Sequence, residues 1–186
     1  TESPCVYPWV DEDGEYGMRL LAHHLADLGH KSIAFIAAPD HLMFAHARLM
    51  GFREGLIERG IHLDPTMVIA GDLTQRDGFR QASQLLERTN PPTAIAACND
   101  LMALGAVSAA QKKGLIVGKD IAITGFDNIP LAEHSHPPLT TIHQPIYQIG
   151  DMVSEMLIKC VKGEDLESKS VILEPTLVIR ETCGGK

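Results

Sequence analysis

The chain has 186 residues, 45% of them hydrophobic, and 24 acidic side chains against 16 lysines and arginines give a formal net charge of −8. That length allows one good core, or one core and part of another. An acidic surface repels phosphate, which makes the chain a poor holder of nucleic acid by itself, and no apolar run approaches the roughly 18 residues of a membrane span.

In chain order, residues 13–28 place Met18, Leu21, Leu25 and Leu28 on one helical face and stop at Gly29. The apolar run Ile33–Ala37 is too short for a helix and reads as a strand. Ala45, Leu49, Phe52 and Leu56 then form a helical stripe that ends at Gly60, before a second short run, Met67–Ala70. Phe79, Ala82, Leu85 and Leu86 form the next stripe, followed by the run Thr93–Ala97. Met102, Ala106, Val107 and Ala110 lead to Gly114 and the run Ile121–Thr124. Glycine at the end of three of these helices, at Gly29, Gly60 and Gly114, suits the left-handed turn that closes each. Strand alternating with helix predicts an α/β fold: a doubly wound, mostly parallel sheet flanked by helices.

Residues 125–145 break this rhythm. Gly125-Phe126-Asp127-Asn128 puts a carboxylate just past the carboxyl end of a strand, the edge where open parallel sheets bind ligands. The stretch from Pro137 to Pro145 is then stiff and extended, because proline fixes its own φ and restricts its predecessor. A rigid connector beside a ligand edge predicts a strand crossing between two lobes. Residues 146–161 follow as a helix with Ile149, Met152, Val153, Met156, Leu157 and Cys160 at near-ideal spacing.

The sequence resembles the effector-binding part of the LacI/GalR family of bacterial transcription regulators. The resemblance rests on GFDN and on Pro137–Pro145, and it continues through Leu28–Ile36, Arg48–Phe52, Pro91–Ile95, Asn99–Ala106 and Gly118–Ile121 in one register. It implies the C-terminal lobe of a type I periplasmic-binding-protein-like fold. Residues 30–144 and 163–186 would form that lobe. Residues 1–29, with an opening strand near Cys5–Trp9, and 145–162 would be remnants of the N-terminal lobe, and the DNA-binding headpiece is expected to be absent. The helices at 13–28 and 146–161 would then have orphaned apolar faces, predicting association, swapping or disorder there.

The resemblance also implies a role: a cytoplasmic homodimer that binds a sugar or related metabolite, without a cofactor, and reaches operator DNA only through the missing headpiece. A periplasmic sugar-binding component of a transporter is the alternative, since it shares the two-lobe plan. The expected ligand-binding residues are Asp13, Phe44, Arg48, Leu73, Asn99, Asp127 and Gln144. Asn99 and Asp13 would equally serve as helix caps, Asp127 as a turn residue, and Arg48 as a surface ion-pair partner. Phe44 and Leu73 stand where the family often has a small hydroxyl residue and an aromatic, respectively, which leaves the effector's identity open. Leu104 and His134 are the expected dimer contacts.

Catalysis is not expected. There is no GxGxxG, GxxxxGK[ST] or GxSxG. His23-His24 and His134-Ser135-His136 lack a carboxylate or cysteine at metal-ligand spacing. Cys5, Cys98, Cys160 and Cys183 lie far apart without a CxxC and fit buried free thiols in a reducing compartment.

Overall fold

Two apolar runs form the centre of the molecule. In the computed structural model, which describes residues 7–166 and 168–184, β2 (Ile33–Ala37) and β4 (Ala94–Ala97) are buried at every position. Only a strand covered on both faces can be apolar throughout. They pair in parallel, with β3 (Val68–Ala70) outside β2 and β5 (Ala122–Thr124) outside β4, giving the order β3-β2-β4-β5.

Helices close the faces. α1 (Gly14–Asp27) packs on α2 (Met43–Glu58), and α3 (Gln75–Leu86) packs on α4 (Asp100–Lys112). Chain direction across the sheet reverses between β2 and β4, since β2 leads outward to β3 and β4 leads outward to β5. That is the switch point, where a crevice opens at the carboxyl ends of the strands.

Close helix contact is made by glycine. A Cβ on Gly78 would strike the Met102 carbonyl of α4, and one on Gly105 would strike the Gln75 carbonyl of α3. Between α1 and α2, Gly51 abuts the backbone of Glu15, and a Cβ on Gly55 would lie 2.8 Å from Ala22 Cβ. α1 is therefore an integral part of this core: Met18, Leu21, Ala22 and Leu25 are fully buried. The expectation of an orphaned apolar face on 13–28 fails because α2 covers it.

The later chain departs from the main sheet. A short α5 (Pro130–His134) precedes β6 (Thr141–His143), which pairs antiparallel with β8 (Thr176–Val178). β1 (Trp9–Glu12) pairs in parallel with β7 (Ser170–Leu173) as a separate two-stranded sheet. The boundary expected at 162/163 thus separates two segments that pair with each other. α6 (Ile146–Lys162) touches β1 and buries none of its residues. Leu157, Ile158 and Val161 are exposed on it, as expected for an uncovered face. Cys98 and Cys183 are buried free thiols, Cys160 is exposed instead, and Cys5 lies outside the described residues.

Candidate functional site

Arg48 is the hub of the contacts at this edge of the sheet. It projects from α2, is only 5% exposed, and is no surface ion-pair partner. Its Nη1 donates to the Cys98 carbonyl at 2.8 Å and to Asp127 Oδ1 at 3.5 Å. Its Nη2 donates to Glu12 Oε1 at 3.0 Å. The guanidinium carbon lies 3.7 Å from the Phe126 ring centroid and 4.6 Å from that of Phe44, within cation–π range. Its Nε is buried with no hydrogen-bond partner. Cys98 follows β4, Asp127 follows β5 and Glu12 ends β1, so one side chain ties three strand ends together.

Asp127 is held in an unusual backbone state, φ 115°, and Asn128 follows at φ 53°. Such conformations persist only where surrounding contacts over-determine them. Here the Asp127 amide donates to the Ile142 carbonyl at 2.9 Å. Gln144 Nε2 donates to Asp127 Oδ1 at 2.6 Å. Arg180 Nη2 donates to Asn128 Oδ1 at 2.8 Å, and Asn128 Nδ2 lies 3.1 Å from His143 Nδ1. Burial pushes the Asp127 carboxyl above the ordinary carboxylate range, against the pull of Arg48 and Gln144. Glu12 is raised as well, by burial first and by Asp11 second, with Arg48 opposing.

Asn99 caps α4: its Oδ1 accepts from the Met102 amide at 2.9 Å, and its Nδ2 donates to the Leu73 carbonyl at 3.1 Å. Leu73 itself adopts φ 69°, so the rim contains a third left-handed non-glycine residue. Asp13 caps α1 by accepting from the Tyr16 amide at 2.8 Å. Of the seven expected ligand-binding residues, Arg48, Asp127, Gln144 and Phe44 form one contact cluster, Asn99 and Leu73 adjoin it through Cys98, and Asp13 adjoins it through Glu12.

Two residues were missed. Glu12 carries no motif; its role depends on β1 lying against α2, a contact between segments 36 residues apart. Asp100 reads as a dipole-complementing first-turn acid, yet it is fully buried. Its Oδ1 accepts from Thr141 Oγ1 at 2.5 Å and its Oδ2 from the Ile129 amide at 2.9 Å. Burial pushes its pKa up to about 7, opposed by those two donors. It joins α4, the 127–129 loop and β6.

The expected dimer residues differ in exposure. His134 is exposed on α5, but Leu104 is only 8% exposed, its side chain largely turned into the core. Leu101 and Leu131 are the exposed large apolar residues of these two helices. Among the described residues no cluster of His, Cys, Asp or Glu could hold a metal ion, and no helix is long and apolar enough to cross a membrane.

A doubly wound parallel layer with a polar, hydrogen-bonding rim at its switch point, and strands leaving that rim, is the architecture of a periplasmic-binding-protein-like domain. The chain belongs to the periplasmic-binding-protein-like domain family, whose model matches residues 22–183, in the form found in LacI-family transcriptional regulators. It is 41% identical over 158 residues to the HTH-type transcriptional repressor CytR of Escherichia coli, covering 85% of this chain and 46% of that protein. Among solved structures it is similar to a complex of the transcriptional regulator CelR with cellobiose, with TM-score 0.89, 35% identity, and coverage of 95% of this chain and 54% of that one. It is also similar to the lac repressor dimer bound to operator and the anti-inducer ONPF, with TM-score 0.86, 35% identity, and coverage of 94% and 52%. The chain thus spans about half the length of these relatives.

Proposed function

We propose that this chain is the effector-binding and dimerisation part of a bacterial, cytoplasmic transcriptional repressor that takes a sugar or related small metabolite at the rim around Arg48, Asn99, Asp127 and Gln144. One observation carries this reading: three polar side chains, from α2, the β5 end and the crossover strand, meet at the sheet's switch point, with Asn99 adjoining them through Cys98. A rim of fixed donors and acceptors orients a hydroxyl-bearing ligand, and nothing in it supplies a nucleophile paired with a base.

Two of the strands at this rim, β1 and β6, run on to the β1/β7 pair and α6, which we assign to the second lobe; α1 belongs with the lobe described here. A ligand bridging both lobes favours a closed arrangement and so biases the orientation of DNA-binding headpieces carried elsewhere in the protein. Support for operator binding and dimerisation comes from the helix-turn-helix type of CytR and the dimeric state of the lac repressor. The exposed Leu131 and His134 are the dimer contacts we assign to this chain, with the exposed Leu101 in place of the buried Leu104.

Calorimetry of the full-length protein against sugars, nucleosides and nucleobases tests the reading. A ligand bound by wild type and lost in Asp127→Ala, with operator affinity changing on ligand addition, is the expected result. Binding that persists unchanged in Asp127→Ala refutes the site.

A further inference from the structure

We infer that this rim selects uncharged, hydroxyl-bearing ligands and rejects their phosphate esters, and that Glu12 is the residue that sets this preference. The inference rests on the effector-rim reading and adds the ligand's charge to it.

Arg48 is the residue an anion would need. Its two terminal nitrogens already hold protein acceptors, the Cys98 carbonyl at 2.8 Å, Glu12 Oε1 at 3.0 Å and Asp127 Oδ1 at 3.5 Å. The Phe44 and Phe126 rings lie over the guanidinium, and only 6% of the side chain is exposed. The neighbouring cation, Arg180, is turned the other way, onto Asn128 Oδ1 at 2.8 Å and the Leu139 carbonyl at 2.7 Å.

The charge balance at the rim is therefore negative. Within the contact cluster itself, Glu12 and Asp127 oppose the one positive charge of Arg48, Arg180 being held on Asn128, and Asp13 adjoins Glu12 on the chain. Burial raises both carboxyls, the sign of a site where more negative charge is unwelcome. Asp127, whose side chain is 29% exposed, is the most accessible member of the trio, and a carboxylate accepts from hydroxyl or amide hydrogens. An anion about 5 Å from an unneutralised carboxylate, at an effective dielectric near 20, is disfavoured by roughly 300-fold. A neutral ligand escapes this penalty. Without Glu12, the Arg48 Nη2 fork is released to grip a phosphate.

The test is calorimetry on the full-length protein with matched pairs: glucose, cellobiose and the four ribonucleosides, each against its phosphate monoester. Wild type is expected to bind at least one neutral member more than about tenfold tighter than its ester. Glu12→Gln is expected to shrink that ratio at least about tenfold, and Glu12→Asp, which keeps the charge, to preserve it. Melting curves establish that both variants fold, and the wild-type ratio decides the ligand class without either. An ester bound as tightly as its parent overturns the inference while leaving the rim reading intact, and so does a ratio unmoved in folded Glu12→Gln. Failure of wild type to bind any member of any pair overturns both.

Discussion

Arg48 and Gln144 meet on the same atom: both donate to Asp127 Oδ1, one from the buried face of a helix and one from the crossover strand, at 3.5 Å and 2.6 Å. The rim is built as a set of mutual restraints, and removing any member exposes the charge of the others.

Replacing Arg48 by methionine leaves Glu12 and Asp127 as uncompensated, largely buried carboxylates. The expected loss is about 3 kcal/mol, the usual scale for breaking a buried pair, read by urea denaturation. Arg48→Lys recovers less than half of it, because an ammonium cannot reproduce the forked geometry. Full recovery by lysine would show that charge alone matters here.

Asp100 gives the stability a pH dependence. Its folded pKa of about 7 lies above the ordinary 3.8, so the folded state holds the proton more tightly than the unfolded one. Stability from this group is complete below about pH 4 and declines as pH rises to about 7, by up to roughly 4 kcal/mol. Glu12 and Asp127 are raised too and act in the same direction, so the informative quantity is a difference. Asp100→Asn should flatten the decline between about pH 5 and 7 relative to wild type. Parallel curves for the two proteins would contradict the assignment.

Glycine-to-alanine substitutions should differ in sign by position. Gly78 and Gly105 face backbone carbonyls across the α3–α4 contact, so alanine there forces the helices apart at a cost of about 1–3 kcal/mol. At Gly150 on α6 an added Cβ meets nothing within 4 Å. Alanine there should stabilise by about 0.5–1 kcal/mol through helix propensity alone. Thermal melts of the three single variants measure this, and equal shifts would remove the packing argument.

The uncovered side of α6 should drive association of the isolated chain. Leu157 is 62% and Val161 80% exposed, beside Ile158 at 54%. Leu157→Glu combined with Val161→Lys is expected to reduce self-association about tenfold or more in sedimentation velocity. An unchanged sedimentation profile would place the association surface elsewhere.

The central layer was legible because its signals are local. The run Ile33–Ala37 coincides with β2, and the runs 93–97 and 121–124 start one residue before β4 and β5. Helix ends at Gly29, Gly60 and Gly114 hold, each with φ between 71° and 91°. β1 with β7 was not legible: the pairing of Trp9 with Ser170 closes a loop of nearly the whole chain, and no short-range pattern encodes it. The cover that α2 gives α1 was not legible for the same reason, since a lone amphipathic stripe does not say which partner will cover it. At the site, Arg48 and Asp127 could be named from their motif, whereas Glu12 became visible only once β1 lay beside α2. Asp100 shows the converse: its sequence position predicts a solvated first-turn acid, and tertiary contact with Thr141 overrides that.

The crossover strand leaves this lobe with every residue tied down. Thr141 donates to Asp100, Ile142 accepts from Asp127, His143 meets Asn128, and Gln144 holds Asp127. A segment anchored at four successive positions has no slack, and Pro145, with φ −79°, carries that stiffness to the start of α6, so on the two-lobe reading proposed above any swivel along this crossing falls outside residues 141–144.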